Sequence, residues 1–283
     1  MVHLIRPPSC EIGARKLPTQ TVTGFPISTL SFDKQVATIM SWAQSRLSKV
    51  VCVSNVHMLM EGHWNPDFAD VLTDADMLTP DGMPLAWMTS LMNGQPQDRV
   101  AGLDLMRSLC EQAERQGISL FLLGSTDKML EQVRQQLLED FPALEVAGML
   151  SPPFRPLSEV EDLKIVQLIN DSGAGLVFVS LGCPKQERWM HNHRSITQSV
   201  MVGLGGAFSV YAGEKRWAPK WVRNYGLEWF YRLIQEPKRL WRRYAETIPP
   251  FLWLAFKQVI KLRLGKDPNA SLLQGWLKKE RKS

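Results

Sequence analysis

Short apolar runs alternate with longer amphipathic stretches through most of the chain. Val50-Val51-Cys52-Val53 reads as a strand that ends at Ser54-Asn55. Met77-Leu78-Thr79 reads as a second, ending at Pro80-Asp81-Gly82. Ser119 to Leu123 ends at Gly124-Ser125, and the spacing of Met129, Val133, Leu137 and Leu138 predicts a helix after it. Leu144 to Ala147 predicts a further strand. Gly175 to Leu181 reads as a buried strand ending at Gly182, and Val200-Met201-Val202 closes at Gly203-Leu204-Gly205-Gly206. Strands alternating with helices predict an α/β fold, a parallel sheet flanked by helices. Ligands of such sheets bind beyond the carboxyl ends of the strands. Asn55, Asp81, Gly124, the run Gly182 to Glu187 and the run Gly203 to Gly206 all fall at those ends.

The pattern divides the 283 residues into three parts. Residues 1–20 are proline-rich and patternless, and are expected to be flexible. Residues 21–215 form a Rossmann-like core, and residues 216–283 form a basic amphipathic appendage. No apolar run approaches the ~18–20 residues needed to cross a bilayer. The first residues lack the continuous apolar segment of a secretory signal. Cys10, Cys52, Cys110 and Cys183 show no CxxC spacing and read as reduced thiols of a cytosolic protein. His191 and His193, two apart, point to different faces of a helix and are not expected to share a metal.

Charge sharpens the division. Residues 214–283 hold 17 Lys and Arg against 6 Asp and Glu, whereas residues 1–213 hold 16 against 22. An acidic body therefore carries a cationic tail, which also has six of the ten tryptophans. Such a tail suits an anionic partner, phosphates or a lipid surface. Pro237 is expected to interrupt the helix that contains Trp229 to Ile234. Beyond Pro250, Phe251, Leu252, Leu254, Ala255, Val259, Leu262 and Leu264 mix with Lys257, Lys261 and Arg263. That mixture predicts an amphipathic helix lying in a headgroup layer. A helix packed on the body and a nucleic-acid-binding tail are the alternatives, and the tryptophan and phenylalanine content favours lipid over nucleic acid. An exposed apolar appendage also offers a surface on which copies of the chain could pair.

Several blocks could bear chemistry. Thr79-Pro80-Asp81-Gly82 presents Asp81 on a tight turn, where it can act as a general base or cap the next helix. Asp74-Ala75-Asp76 resembles a metal-binding DxD pattern but precedes its strand, at the wrong edge of the sheet, and reads as a solvated loop. Arg99 precedes a helix that starts near Gly102 and Asp104, and suits either a phosphate or a surface ion pair. In Gly182-Cys183-Pro184-Lys185-Gln186-Glu187, Gln186 can donate and accept, as a sugar requires, or merely open a helix. Gly203-Leu204-Gly205-Gly206 allows close approach of a diphosphate. Phe208 stands where a dinucleotide fingerprint needs glycine, so a nucleotide diphosphate fits better than NAD.

Taken together, these blocks resemble the WecG/TagA/CpsF family of glycosyltransferases. The likeness runs from about Gly24 to Tyr244. It rests on Ser54-Asn55, Thr79 to Gly82, Arg99 to Met106, Phe121 to Gly124, Gly182 to Glu187, Gly203 to Phe208 and Gly226-Leu227-Glu228-Trp229. The resemblance implies an inverting transferase that needs neither metal nor cofactor. It would move a sugar, often N-acetylmannosamine or its uronic acid, from a UDP donor to a polyprenyl-diphosphate-linked saccharide. The product would serve cell-surface polysaccharide synthesis at the inner face of the plasma membrane. It implies Asp81 as base, and Arg99 and Gln186 at the substrate, with Ser54, Asn55, Gly124, Gly182, Gly203, Gly205 and Gly206 around it. Arg232, Arg239 and Arg242 of the appendage would close over the site. Where the family commonly has threonine two residues before Asn55, this chain has Val53, followed by Ser54. A non-catalytic nucleotide or nucleic-acid-binding module with a basic tail is the alternative from another class.

Overall fold

The computed structural model describes residues 17–264. It opens with a hairpin, β1 (Thr19–Val22) and β2 (Phe25–Ser28), and continues with α1 (Phe32–Gln44) and β3 (Lys49–Ser54). Then come α2 (Val56–Trp64), α3 (Pro66–Thr73), β4 (Met77–Pro80), α4 (Met83–Asn93) and α5 (Gly102–Gln116). The chain proceeds through β5 (Leu120–Gly124), α6 (Asp127–Asp140), β6 (Val146–Leu150), α7 (Glu159–Asp171) and β7 (Leu176–Ser180). Next are α8 (Lys185–His193), β8 (Val200–Gly203) and α9 (Ala207–Tyr211). It ends with α10 (Lys220–Asn224), α11 (Glu228–Gln235) and α12 (Pro237–Arg263).

Six strands form one sheet in the order β4-β3-β8-β7-β5-β6, and every pairing in it is parallel. The carboxyl ends of β4, β3, β8 and β7 therefore lie side by side, which brings together four segments distant in sequence. Side chains alternate between the two faces along each strand. Val50 and Cys52 join one buried cluster with α2, α3, α7 and α8. Val51 and Val53 join the other with α1, α5 and α6. The sheet is covered on both faces, as the continuous apolar runs require.

The hairpin was not expected. Thr19 and Gln20 pair with Ser28 and Ile27, so the end of the segment read as flexible is a strand. Residues 1–16 lie outside the described residues. Thr23 and Gly24, at φ +47° and +100°, make the tight turn, and Val22, Phe25 and Ile27 anchor the pair in the core. β6 spans Val146–Leu150 and so lies further along than Leu144 to Ala147 suggest, with Gly148 leaving the space that the Phe121 ring fills.

The appendage packs on the body. Phe251, Ala255 and Leu262 of α12 enter the same buried cluster as Met58 and Leu59 of α2. The Gln258 side chain donates to the Thr21 carbonyl at 2.7 Å and accepts from the Thr23 amide at 2.8 Å. Pro237 does separate two helices, α11 and α12, and α12 itself runs through Pro249 and Pro250. The two carbonyls that lose their donors belong to Ala245 and Glu246, both exposed to solvent. Leu240, Thr247, Phe251, Ala255 and Leu262 keep one buried stripe along the helix. No helix among the described residues is long and apolar enough to cross a membrane.

Candidate active site

Asp81 follows β4 directly. Its amide donates to the Ser54 carbonyl at 2.7 Å, which extends the β3–β4 ladder by one residue. Val100 donates to the Pro80 carbonyl at 2.9 Å and fixes the other side of the turn. The residue is half-buried, and no hydrogen bond to its carboxyl group is made among the described residues. Burial pushes its pKa up from 3.8 to about 7, Glu228 adds to the rise, and Arg232 and Arg99 oppose it. A carboxyl group that titrates near neutrality and is not pinned by a partner can take a proton from a hydroxyl.

Arginines gather around it. Arg99 Nη1 donates to Glu228 at 2.7 Å, and Nη2 lies 3.5 Å from Asp104. Arg232 donates to the other oxygen of Glu228 through Nε and Nη2, at 3.1 and 2.8 Å. Arg223 stands 3.4 Å from Asp104 and stacks over Trp217, with 3.8 Å between its guanidinium carbon and the ring centre. The sequence assigns no role to Glu228, Arg223 or Asp104, although Glu228 lies inside Gly226-Leu227-Glu228-Trp229, an acid set among cations and aromatics.

The glycine turn after β8 lies next to this group. Gly206 is exposed and looks toward Arg232 Nη1. A small cleft there is lined by Gly206 and Ser209, by the cations Lys215, Arg216, Arg232 and Arg239, and by the carboxylates Glu228 and Glu236, of which Glu236 pairs with Lys215 at 3.0 Å and with Arg239 at 2.6 Å. Gly203 and Gly205 answer to a different need. A Cβ on Gly203 would come within 3.0 Å of the Gln186 amide nitrogen, and one on Gly205 within 3.3 Å of its oxygen. Gln186 is buried beneath the turn. Its oxygen accepts from the Gly182 amide at 3.2 Å, and its nitrogen donates to Glu187 at 2.7 Å. Burial raises Glu187 to about 7 against that hydrogen bond. In this conformation Gln186 therefore supports the Gly182 and Gly203–Gly206 turns and does not reach out to a ligand.

Two other expected contacts are also spent within the protein. Ser54 is fully buried and its hydroxyl donates to the Cys52 carbonyl at 3.3 Å, so in this conformation that hydroxyl is spent within the protein. The residue acts instead through its carbonyl on Asp81. Asn55 caps α2, accepting from the Met58 amide at 3.1 Å. Gly124, at φ +108°, turns the chain after β5, next to the Ser180 carbonyl. It lies three strands from β3, on the far side of β8 and β7.

The three appendage arginines part company. Arg232 is at Gly206 and Glu228, and Arg239 lines the cleft beside it. Arg239 also borders a second, open cleft of about 240 Å³ between α2 and α12, shared with His57, Glu61, Trp64, Arg242 and Arg243. Arg242 is turned outward, with its Nε donating to Glu246 at 2.8 Å. His57 is pushed down to about 4 by burial and by Arg243, and is neutral at pH 7.

Asp76 is no solvated loop residue. It accepts from Lys49 Nζ at 2.8 Å and from the Val50 amide at 2.9 Å, and lies 3.6 Å from Arg194. These contacts fasten the amino-terminal edge of the sheet, opposite Asp81. Asp74 is the C-cap of α3.

A parallel sheet whose carboxyl edge presents a free carboxyl group, an open glycine turn and nearby arginines suits an enzyme of group transfer. The chain belongs to the WecG/TagA/CpsF family of glycosyl transferases, whose model matches residues 20–265. It is similar to a Bacillus spizizenii (strain W23) protein named N-acetylglucosaminyldiphosphoundecaprenol N-acetyl-beta-D-mannosaminyltransferase. The two are 32% identical over 239 residues, which cover 82% of this chain and 90% of the relative. A Bacillus subtilis (strain 168) protein of the same name is 31% identical over 219 residues, covering 77% of this chain and 82% of the relative. The chain is thus a glycosyltransferase, and the reading of it as a non-catalytic binding module is set aside.

Proposed function

We infer that the protein transfers N-acetylmannosamine, or a closely related hexose, from a UDP-sugar to a polyprenyl-diphosphate-linked N-acetylglucosamine, with inversion. The names of its relatives support the sugar and the acceptor. The observation that carries the mechanism is the carboxyl group of Asp81, half-buried at the end of β4 and without a hydrogen-bond partner among the described residues. Asp81 takes the proton of the acceptor hydroxyl as that oxygen attacks the anomeric carbon. The bond to the diphosphate breaks on the opposite face, and UDP leaves with the bonding electrons. Arg232 and Arg239, paired in this conformation with Glu228 and Glu236, line the cleft beside Gly206 and would stabilise the negative charge that grows on the diphosphate, usually the largest stabilisation such a site supplies. Arg99 stands on the other side of Glu228 and serves the donor through the same network.

The appendage would hold this site against the inner face of the plasma membrane, where a polyprenyl acceptor lies. Its outer surface supports that reading. Trp221, Tyr225, Phe230, Ile234, Trp241 and Trp253 are exposed, and Lys257 Nζ sits 4.7 Å from the Trp253 ring centre. Aromatic rings interleaved with cations suit a headgroup layer over anionic lipid. The direct test is to incubate the protein with UDP-sugars and a short-chain lipid-diphosphate N-acetylglucosamine and follow UDP release. UDP-N-acetylmannosamine is expected to give acceptor-dependent release. No release with any UDP-sugar would overturn the assignment.

A further inference from the structure

Glu228 is the only acidic residue of α11, and its two oxygens serve two different parts of the molecule. One accepts from Arg99, which belongs to the body. The other accepts from Arg232, four residues along the same helix. Asp104 continues the chain of charges from Arg99 to Arg223 of α10. The network Arg223–Asp104–Arg99–Glu228–Arg232 thus binds appendage to body alongside Asp81. The side chains of Glu228 and Arg99 are only 17% and 13% exposed. The bridge is therefore shielded, unlike the Arg242–Glu246 pair, at 76% and 55%.

The backbone is shaped for this bridge. Gly226 has φ +72°, and a Cβ on it would come within 2.8 Å of Met83 Cγ and 3.2 Å of Trp87. That clearance lets the turn between α10 and α11 press against the start of α4, two residues after Asp81. Leu227 and Glu228 follow at once, so one close contact delivers the carboxylate to the site.

We propose that Glu228 is a positioning residue of the transfer reaction: by sharing its oxygens between Arg99 and Arg232 it sets both arginines beside Asp81 and locks the appendage in the reactive arrangement. This rests on the reading of Asp81 as the base. The charged groups that face Asp81 are Glu228, Arg232, Arg99 and Asp104. Removing the negative charge of Glu228 leaves both arginines opposed at Asp81 by Asp104 alone, which favours its ionised form and makes it a weaker base.

Glu228→Gln keeps the shape and removes the charge, whereas Glu228→Asp keeps the charge and withdraws it by one methylene. The measurement is kcat and donor KM across pH, with thermal melting of each variant. Glu228→Gln is expected to lower kcat on the order of 10–100-fold and to move the acid limb of the profile to lower pH. Glu228→Asp is expected to lose kcat with the limb in place, and it carries the test if the glutamine variant does not fold. A Glu228→Gln enzyme within about twofold of the parent in kcat, with a superimposable pH profile, would overturn the proposal. So would a Glu228→Asp enzyme with unchanged kcat. Asp81→Asn assayed in parallel separates the two readings. Retained turnover there removes the base, while loss of turnover there with an unaltered Glu228→Gln removes only the role of Glu228.

Discussion

The amide of Asp81 donates to the carbonyl of Ser54 at 2.7 Å, so the candidate base is held by the ladder of the neighbouring strand and not through its own side chain. The backbone is fixed while the carboxyl group stays available. That division of labour explains how a residue with a raised pKa can be placed accurately without a hydrogen bond to its carboxyl group that would lower it further.

The first consequence is a pH dependence. Asp81 acts as a base only when ionised, and its pKa is raised to about 7 by burial and by Glu228. kcat/KM is therefore expected to rise with pH through about 7, well above the ordinary aspartate value of 3.8. Stability should move the other way. Between about 4 and 7 the folded state retains a proton that the unfolded chain has released, so the contribution of Asp81 to stability falls as pH rises across that window. Asp81→Asn should accordingly be more stable than the parent above pH 7, as read from urea unfolding at pH 5 and pH 8.

Membrane attachment is open to test without disturbing the fold. Trp253 and Phe256 are each 56% exposed on α12, while Phe251 and Ala255 on the same helix face the core. Replacing Trp253 and Phe256 by serine should leave the melting temperature nearly unchanged and sharply reduce co-sedimentation with liposomes containing anionic lipid. Undiminished sedimentation would show that this surface does not meet the membrane.

Phe251 addresses the opposite face of α12. It is 2% exposed and packs with α2. Phe251→Ala is expected to cost about 3–5 kcal/mol in chemical denaturation. Deleting the whole appendage would strip the same contacts from α2 and is a poor probe of membrane binding. A loss below about 1 kcal/mol would mean that α12 is only loosely held.

Asp76 offers a contrast with Asp81. Its carboxylate is occupied by Lys49, Val50 and Arg194 at the far edge of the sheet. Asp76→Asn should cost about 1–3 kcal/mol of stability with kcat unchanged in the folded fraction. EDTA should likewise leave turnover unaltered. A strict metal requirement would reopen the question of Asp74 and Asp76.

Much of this architecture is written in local pattern. The apolar runs at Val50, Leu120 and Leu176 are strands because a sheet covered on both faces needs uninterrupted hydrophobes. The glycines and prolines at their ends punctuate the chain where the turns occur. The β1–β2 hairpin leaves little mark in the sequence because each strand is four residues long, too short for alternation to stand out. The site was legible by position and less so by direction. Asp81 and the Gly206 turn come together because the parallel strands β4, β3 and β8 align their carboxyl ends, while Arg99 joins them through the Val100–Pro80 hydrogen bond and Arg232 arrives on α11, tied in by Glu228. Ser54 and Gln186 share that edge but point inward, and sequence spacing at a strand end or helix start does not reveal the rotamer. Glu228 was hidden for another reason. Its importance lies in a contact spanning 129 residues, from Arg99 to α11, which no local pattern encodes.

The account stands on Asp81, and the most direct test is UDP release by Asp81→Asn alongside calorimetric titration of UDP. Turnover is expected to fall on the order of 10²–10⁴-fold while UDP binds as tightly as to the parent protein. Turnover close to that of the parent in a variant that cannot accept the proton would contradict the mechanism.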